Sequence, residues 1–185
     1  MQDQRIIMGI DPGTRLLGYG VVLVDRKKTH FVDMGVVDLR KETDPYIKLK
    51  RITEQIGTLI DRYHPNDLAV EAPFYGKNAQ VMLKLGRAQG AALAAALIRD
   101  IPVYEYAPRK VKMAITGNGA ASKEQVALIL SRTLRVDLSG PYLDATDALA
   151  IAMCHFYQLV NPFSDASATK DWAAFLKQHP DRILP

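Results

Sequence analysis

Four carboxylates in this sequence adjoin apolar segments, where an ionised acid usually needs a compensating cation. Asp11 and Glu71 each end a short apolar run, and a proline follows each acid within two residues. Asp144 and Asp147 are three residues apart, a spacing that puts both on one face of a helix. Taken together, the four acids predict a site for divalent cations.

Each acid also has a purely structural interpretation. Asp11 before Pro-Gly is typical of a turn, and Glu71 could end an exposed strand. Asp144 and Asp147 could be first-turn acids of a helix that begins near Pro141. The combination of all four, in this order along the chain, favours the metal site.

Such a carboxylate cluster suits hydrolysis of a phosphodiester bond. Two ions held there can activate a water molecule and stabilise the leaving oxygen. Oxygen ligands favour magnesium or manganese, and the single cysteine and four scattered histidines offer no zinc-binding spacing. The chemistry requires no nucleophilic side chain.

The first half of the chain predicts the elements that carry the first two acids. Strands are expected at 5–11, 18–25 and 29–38, joined closely enough to form an antiparallel meander. Asp44-Pro45 predicts the start of a helix that ends before His64. Its apolar stripe comprises Ile47, Ile52, Ile56, Leu59, Ile60 and Tyr63. The strand carrying Glu71 follows.

The second half alternates helices with a strand. The elements expected there are a helix at 78–99, a strand at 103–106, a helix from Pro108, a helix from the capping box at Ser122 to about 134, and a helix at 142–159. This alternation favours a partly parallel sheet. We predict an α/β fold with a mixed five-stranded sheet flanked by helices, in one domain spanning 1–160.

Composition and length are those of a globular protein. The chain has 185 residues, of which 48% are hydrophobic and 24% charged. No signal peptide or long apolar span is evident, so we expect a cytoplasmic protein with no membrane association. Cys154 is predicted to be a buried thiol. Residues 161–185 form a tail in which Trp172 and Phe175 could share one face of a short helix, either docked on its own domain or binding a partner.

Charge is unevenly distributed. The formal net charge is +4, yet residues 72–135 contain ten basic and three acidic residues. A basic segment beside an acidic metal site suits a protein that binds the phosphate backbone of nucleic acids. The alternative is a solvated helical face without a partner.

Several motifs occur together in a recognisable order. They are Gly9-Ile10-Asp11-Pro12-Gly13-Thr14, Gly18-Tyr19-Gly20, Val70-Glu71, Lys77-Asn78-Ala79, Leu83-Lys84-Leu85-Gly86-Arg87-Ala88-Gln89-Gly90, Tyr106-Ala107-Pro108-Arg109-Lys110-Val111-Lys112 and Asp144-Ala145-Thr146-Asp147-Ala148-Leu149-Ala150. In this arrangement the chain resembles the RuvC family of Holliday-junction resolvases, which have the ribonuclease H-like nuclease fold. The resemblance covers roughly residues 5–158.

The resemblance implies a magnesium-dependent endodeoxyribonuclease that resolves four-way DNA junctions by paired symmetric nicks. Asp11, Glu71, Asp144 and Asp147 would be the catalytic residues and would hold two Mg²⁺ ions, for which Mn²⁺ can substitute. The products would carry a 5′-phosphate and a 3′-hydroxyl. This activity would serve DNA recombination and repair.

The resemblance also implies DNA-binding residues. Arg109, Lys112 and Lys123 match the family's DNA-contacting basic positions, and Lys77 and Arg87 are further expected contacts. Phe74 is expected to stack on an unpaired base near the junction centre, because an aromatic face accepts any base. The role of the neighbouring Tyr75 stays open.

The expected partners are a second copy of the chain and the RuvAB branch-migration complex. A nearly two-fold symmetric junction suits a C2 homodimer. The small-residue helix with Gly86 and Gly90 could form its interface, or could pack within its own subunit. The sequence departs from the family at Ala72-Pro73, which could alter the loop and the preferred cleavage sequence.

Two other functions remain open from the sequence. The chain could be a junction-binding module without catalysis, in which the acids are structural. The segment from Gly9 to Thr14 also resembles the phosphate loop of actin-like ATPases and sugar kinases. Those proteins use two such domains around a nucleotide, however, and 185 residues provide one.

Overall fold

A computed structural model describes residues 4–26, 28–72, 78–138 and 143–160. The elements in chain order are β1 (Gln4–Asp11), β2 (Leu16–Asp25), β3 (Lys28–Asp38), α1 (Pro45–Tyr63), β4 (Asp67–Glu71), α2 (Ala79–Leu97), β5 (Val103–Tyr106), α3 (Pro108–Thr116), α4 (Lys123–Leu134) and α5 (Leu143–Val160). These bounds agree with the predicted elements to within about two residues. The predicted tail at 161–185 lies outside the described residues.

The five strands form one mixed sheet in the order β3-β2-β1-β4-β5. Strands β1, β2 and β3 make the predicted antiparallel meander. Strand β1 also pairs in parallel with β4, and β4 pairs in parallel with β5. The predicted α/β fold with a mixed five-stranded sheet is therefore confirmed.

Helices cover both faces of the sheet. One core cluster joins the strands to α3, α4 and α5, and the other joins them to α1 and α2. Strand β1 contributes Ile7 to the first cluster and Met8 and Ile10 to the second. Because β1 is buried on both faces, its sequence is an almost continuous apolar run instead of an alternating one.

Helix α1 begins and ends as its sequence predicts. The Asp44 side chain accepts hydrogen bonds from the first-turn backbone N–H groups, and His64 ends the helix in the left-handed conformation. Ile52, Ile56 and Ile60 are buried. Ile47 was predicted to share this stripe but is 49% exposed, because the first turn of α1 lies outside the packed part of the helix.

The small residues of helix α2 lie on two different faces of the helix. Ala88, Ala92, Ala95 and Ala96 are buried in the core shared with α1. Gly86 and Gly90 face the other way, and a β-carbon built on either would meet no atom within 4 Å. The alanine face is thus used within the subunit, whereas the glycine face is open.

A charged network ties together the ends of several elements. The carboxylate of Asp67, at the start of β4, is fully buried and accepts two hydrogen bonds from the Arg5 guanidinium on β1. His155 Nε2 on α5 lies 3.3 Å from Asp67 Oδ2, a contact that falls short of hydrogen-bond geometry. The other ring nitrogen of His155 is hydrogen-bonded to the Tyr106 hydroxyl at 2.6 Å.

Other predictions on single residues also hold. Cys154 is a buried free thiol, and Ser122 and Gln125 form the predicted capping box of α4. No helix in the described part of the chain is long and apolar enough to cross a membrane.

Candidate active site

The first two predicted metal-binding residues meet because β1 and β4 are parallel neighbours. In their register Ile10 pairs with Val70, so Asp11 and Glu71 come next along the two strands. Each is the last residue of its strand. The carboxyl ends of adjacent parallel strands lie at one edge of the sheet, which brings these two acids together.

Glycines allow α5 to lie directly on β1 and β2. A β-carbon built on Gly18 would lie only 2.0 Å from the carbonyl oxygen of Asp144, and one built on Gly9 only 2.0 Å from that of Ala148. Gly18 is also the register partner of Asp11. This close approach sets the first turn of α5, with Asp144 and then Asp147, beside Asp11.

The four acids influence one another electrostatically. Burial, followed by the negative charges of Glu71, Asp147 and Asp144, raises the pKa of Asp11 to about 8. Burial and the charge of Asp147 likewise raise the pKa of Glu71. In the absence of a cation, Asp11 and Glu71 therefore hold a proton more readily than ordinary carboxyl groups do.

Two lysines provide partial compensation. Lys123, the first residue of α4, forms an ion pair with Asp147. Burial lowers the pKa of Lys123, but the hydrogen bond and charge of Asp147 outweigh it and the net shift is upward. The positive charges of Lys123 and of Lys112, on α3, lower the pKa of Glu71 and so partly offset the effect of burial.

The donor set fits a hard divalent cation. All four candidate ligands are carboxylates, and their mutual repulsion is relieved by added positive charge. Within the described residues, no three Asp, Glu, His or Cys side chains are already arranged to hold a metal ion. One oxygen of Asp147 is engaged by Lys123, so an incoming cation would compete with that ammonium group.

The remaining predicted DNA-binding residues are dispersed. Arg87, on α2, lines a cleft on the side of that helix facing α1. Arg109 is exposed in the first turn of α3, with its side chain beside Gly119. Phe74 and Lys77 lie outside the described residues, as does Tyr75. The structure therefore brings Lys112 and Lys123 to the acids but not Arg87.

Gln89 is a polar residue whose position the sequence reasoning did not single out. It lies on α2, is only 5% exposed, and donates hydrogen bonds to the backbone carbonyl of Glu71 at 3.2 Å and to Glu105 Oε1 at 3.1 Å. It also lines a recess of about 60 Å³ beside Glu71, together with Pro12 and Met82. The available signal was a lone amide among small apolar residues on the buried side of a helix.

Sequence comparisons point to one family. The family model described as crossover junction endodeoxyribonuclease RuvC matches residues 7–155. A crossover junction endodeoxyribonuclease RuvC from Christiangramia forsetii is 53% identical, covering 99% of this chain and 95% of the relative. One from Porphyromonas gingivalis is 54% identical, covering 97% of each chain.

Structural comparisons agree with the sequence matches. T. thermophilus RuvC in complex with a Holliday junction substrate superposes with a TM-score of 0.78 at 35% identity, covering 84% of this chain and 94% of that one. The yeast mitochondrial Holliday junction resolvase Ydc2 has a TM-score of 0.64 at 16% identity, covering 93% of this chain and 83% of that one. At that identity, Ydc2 is evidence for the shared fold alone.

Proposed function

The chain belongs to the RuvC family of crossover junction endodeoxyribonucleases, and we propose that it resolves four-way DNA junctions by paired symmetric nicks. The family is one of metal-dependent nucleases. The observation that carries the proposal is that Glu71, Asp147 and Asp144 all lie close enough to Asp11 to act on its charge, with Lys112 and Lys123 nearby. Acids and lysines in this arrangement suit a scissile phosphate and its cations.

Asp11, Glu71, Asp144 and Asp147 would hold two Mg²⁺ ions, with Mn²⁺ as a substitute. Ions bound there would supply an activated water and would stabilise the leaving oxygen, and hydrolysis would give a 5′-phosphate and a 3′-hydroxyl. The raised pKa of Asp11 means that this residue gives up a proton when the site is loaded. Cation binding at this site is therefore coupled to proton release.

The lysines and Gln89 have separate tasks in this proposal. Lys123 pairs with Asp147 and, as a cation beside the four acids, would also contact a phosphate of bound DNA. Lys112 adds positive charge on the Glu71 side. Gln89 fixes the carbonyl end of β4 and so orients the backbone that carries Glu71.

We assign Arg87, Arg109, Lys112 and Lys123 to contacts with the DNA backbone, together with Lys77. Such contacts make binding strongly salt-dependent. Phe74 is assigned to stacking on an unpaired base near the junction centre.

A homodimer would present two such sites to one junction. The open face of α2 offers an apolar strip for a C2 interface, with Leu83 63% and Leu97 57% exposed on either side of Gly86 and Gly90. Sedimentation of Leu83→Asp beside the unmodified chain tests this, and a dimer that persists in the variant argues against this face. We further propose that the protein acts in the cytoplasm with the RuvAB branch-migration complex.

The direct test is nicking of a labelled synthetic four-way junction in Mg²⁺. The intact chain is compared with Asp11→Asn and with Asp100→Asn, which changes an exposed acid outside the site. Paired cuts in the junction but not in linear duplex, lost only in Asp11→Asn, support the resolvase. Tight junction binding without cuts would instead favour the binding module. If the chain neither binds nor cuts the junction, both functions are refuted.

A further inference from the structure

A second cleft opens on the opposite side of α2 from the acids. It has a volume of about 320 Å³ and lies between the first turns of α1, the first half of α2 and the loop after β1. Its floor is apolar, formed in part by Leu39, Ile52 and Ala88, which are buried. Its rim carries polar and cationic side chains, so the cleft is amphipathic.

The charge in this cleft is of one sign. Lys48, Lys84 and Arg87 line it, and none of its lining residues is acidic. Within the described part of the chain, the side chains of Lys84 and Arg87 have no ion pair or hydrogen bond. Lys48 Nζ donates to the Thr14 carbonyl at 3.0 Å and has further donors to offer. Three cations without a counter-charge favour an anionic ligand.

The loop after β1 connects this cleft to the acidic site. Pro12 lines the recess beside Glu71, and Thr14, two residues later, lines the cleft. Helix α2 contributes to both in the same way, with Gly86 on the recess side and Arg87 on the cleft side. A polyanion that passes over this loop would therefore meet both places.

We propose that the cleft binds the sugar-phosphate backbone of a junction arm beyond the scissile phosphate, with Lys84 as its principal cation. The phosphates would meet the cationic rim, and the deoxyribose would face the apolar floor. This inference rests on the proposed function for the identity of the polyanion. It extends the DNA-binding surface to Lys48 and Lys84, and it gives Arg87 a role on the side of α2 that faces away from the acids.

The experiment measures junction binding by Lys84→Gln across a salt series, with Lys84→Arg as the charge-preserving variant. Lys28→Gln is the matched control, because Lys28 is an exposed lysine at the far end of the sheet. Removing one phosphate contact should weaken binding about fivefold near 0.15 M salt and reduce the salt slope by about one. Lys84→Arg and Lys28→Gln should behave like the unmodified chain.

Neutral methylphosphonate links, placed one at a time along an arm, then locate the contact. At one position beyond the cut the substitution should weaken binding of the unmodified chain but not of Lys84→Gln. An unchanged salt slope in Lys84→Gln, or no such position on the arm, would overturn the proposal. If the unmodified chain does not nick junctions and yet Lys84→Gln shows the slope change, the cleft stands and the proposed nuclease function fails. Normal nicking with an unchanged slope refutes the cleft alone.

Discussion

The replacement Asp11→Asn should make the cation-free protein more stable at neutral pH. In the folded chain the pKa of Asp11 is about 8, compared with an ordinary value of 3.8. Between these two values the unfolded chain loses this proton while the folded chain keeps it. Stability therefore falls as the pH rises from about 4 to 8, and the loss from this residue reaches about 4 kcal/mol at pH 7.

An asparagine keeps the shape of the side chain and removes its charge. In EDTA, the stability of the variant should show much less of this pH dependence. At pH 7 its free energy of unfolding should exceed that of the unmodified chain by up to about 4 kcal/mol. A gain of this order is large compared with the total stability of a small domain. Because Glu71 also has a raised pKa, a smaller fall with increasing pH should remain in the variant.

The assay is urea unfolding in EDTA at several pH values from 5 to 8.5, for the unmodified chain, Asp11→Asn and the control Asp100→Asn. Added Mg²⁺ should stabilise the unmodified chain more at pH 8 than at pH 6, since cation binding displaces the proton. Equal pH dependence of unfolding in the unmodified chain and Asp11→Asn would refute the electrostatic argument for this site.

Three further substitutions test other parts of the structure. Gly18→Ala should cost about 1–3 kcal/mol of stability and slow nicking, since its β-carbon would displace the turn of α5 that carries Asp144; urea unfolding and nicking rates measure both. Gln89→Met should cost about 1–3 kcal/mol and lower kcat more than it changes KM, because it frees the carbonyl of Glu71; unchanged kcat would contradict this positioning role. Asp67→Asn should cost about 3 kcal/mol while leaving the nicking rate at 25 °C unaltered, as measured by unfolding and nicking on one preparation.

The contribution of Asp67 to stability should also be measurable at acidic pH. Burial raises the pKa of Asp67, but the contacts from His155 and Arg5 outweigh it and the net shift is downward. Its contribution to stability is therefore present above the ordinary pKa and lost as the pH falls through the lowered value. Unfolding of the unmodified chain below about pH 4 should become steeper than that of Asp67→Asn.

Much of the fold could be predicted because local signals agreed with the global arrangement. Asp44-Pro45 and the Ser122 capping box fixed helix starts, and the two acid-ended apolar runs became neighbouring parallel strands. Ile47 was misassigned because a helical stripe does not reveal where packing stops.

The site was harder to predict in detail because its contacts join distant parts of the chain. The pairing of Lys123 with Asp147 and the hydrogen bonds of Gln89 depend on how α4 and α2 pack, and no spacing in the sequence encodes either. The cleft at Lys84 likewise appears only when α1 is set beside α2.

The buried network around Asp67 acquires a meaning from where its members lie along their elements. Arg5 and Asp67 are near the starts of β1 and β4, whose last residues are Asp11 and Glu71. His155 lies on α5, eight residues and about 12 Å of helix rise beyond Asp147. The three elements that carry the four acids at one end also meet near the other, where Arg5 and Asp67 form an ion pair and His155 lies against Asp67. The residues that hold β1, β4 and α5 together at this end are distinct from those that would bind cations, so Asp67 can support the fold without taking part in the chemistry of the site.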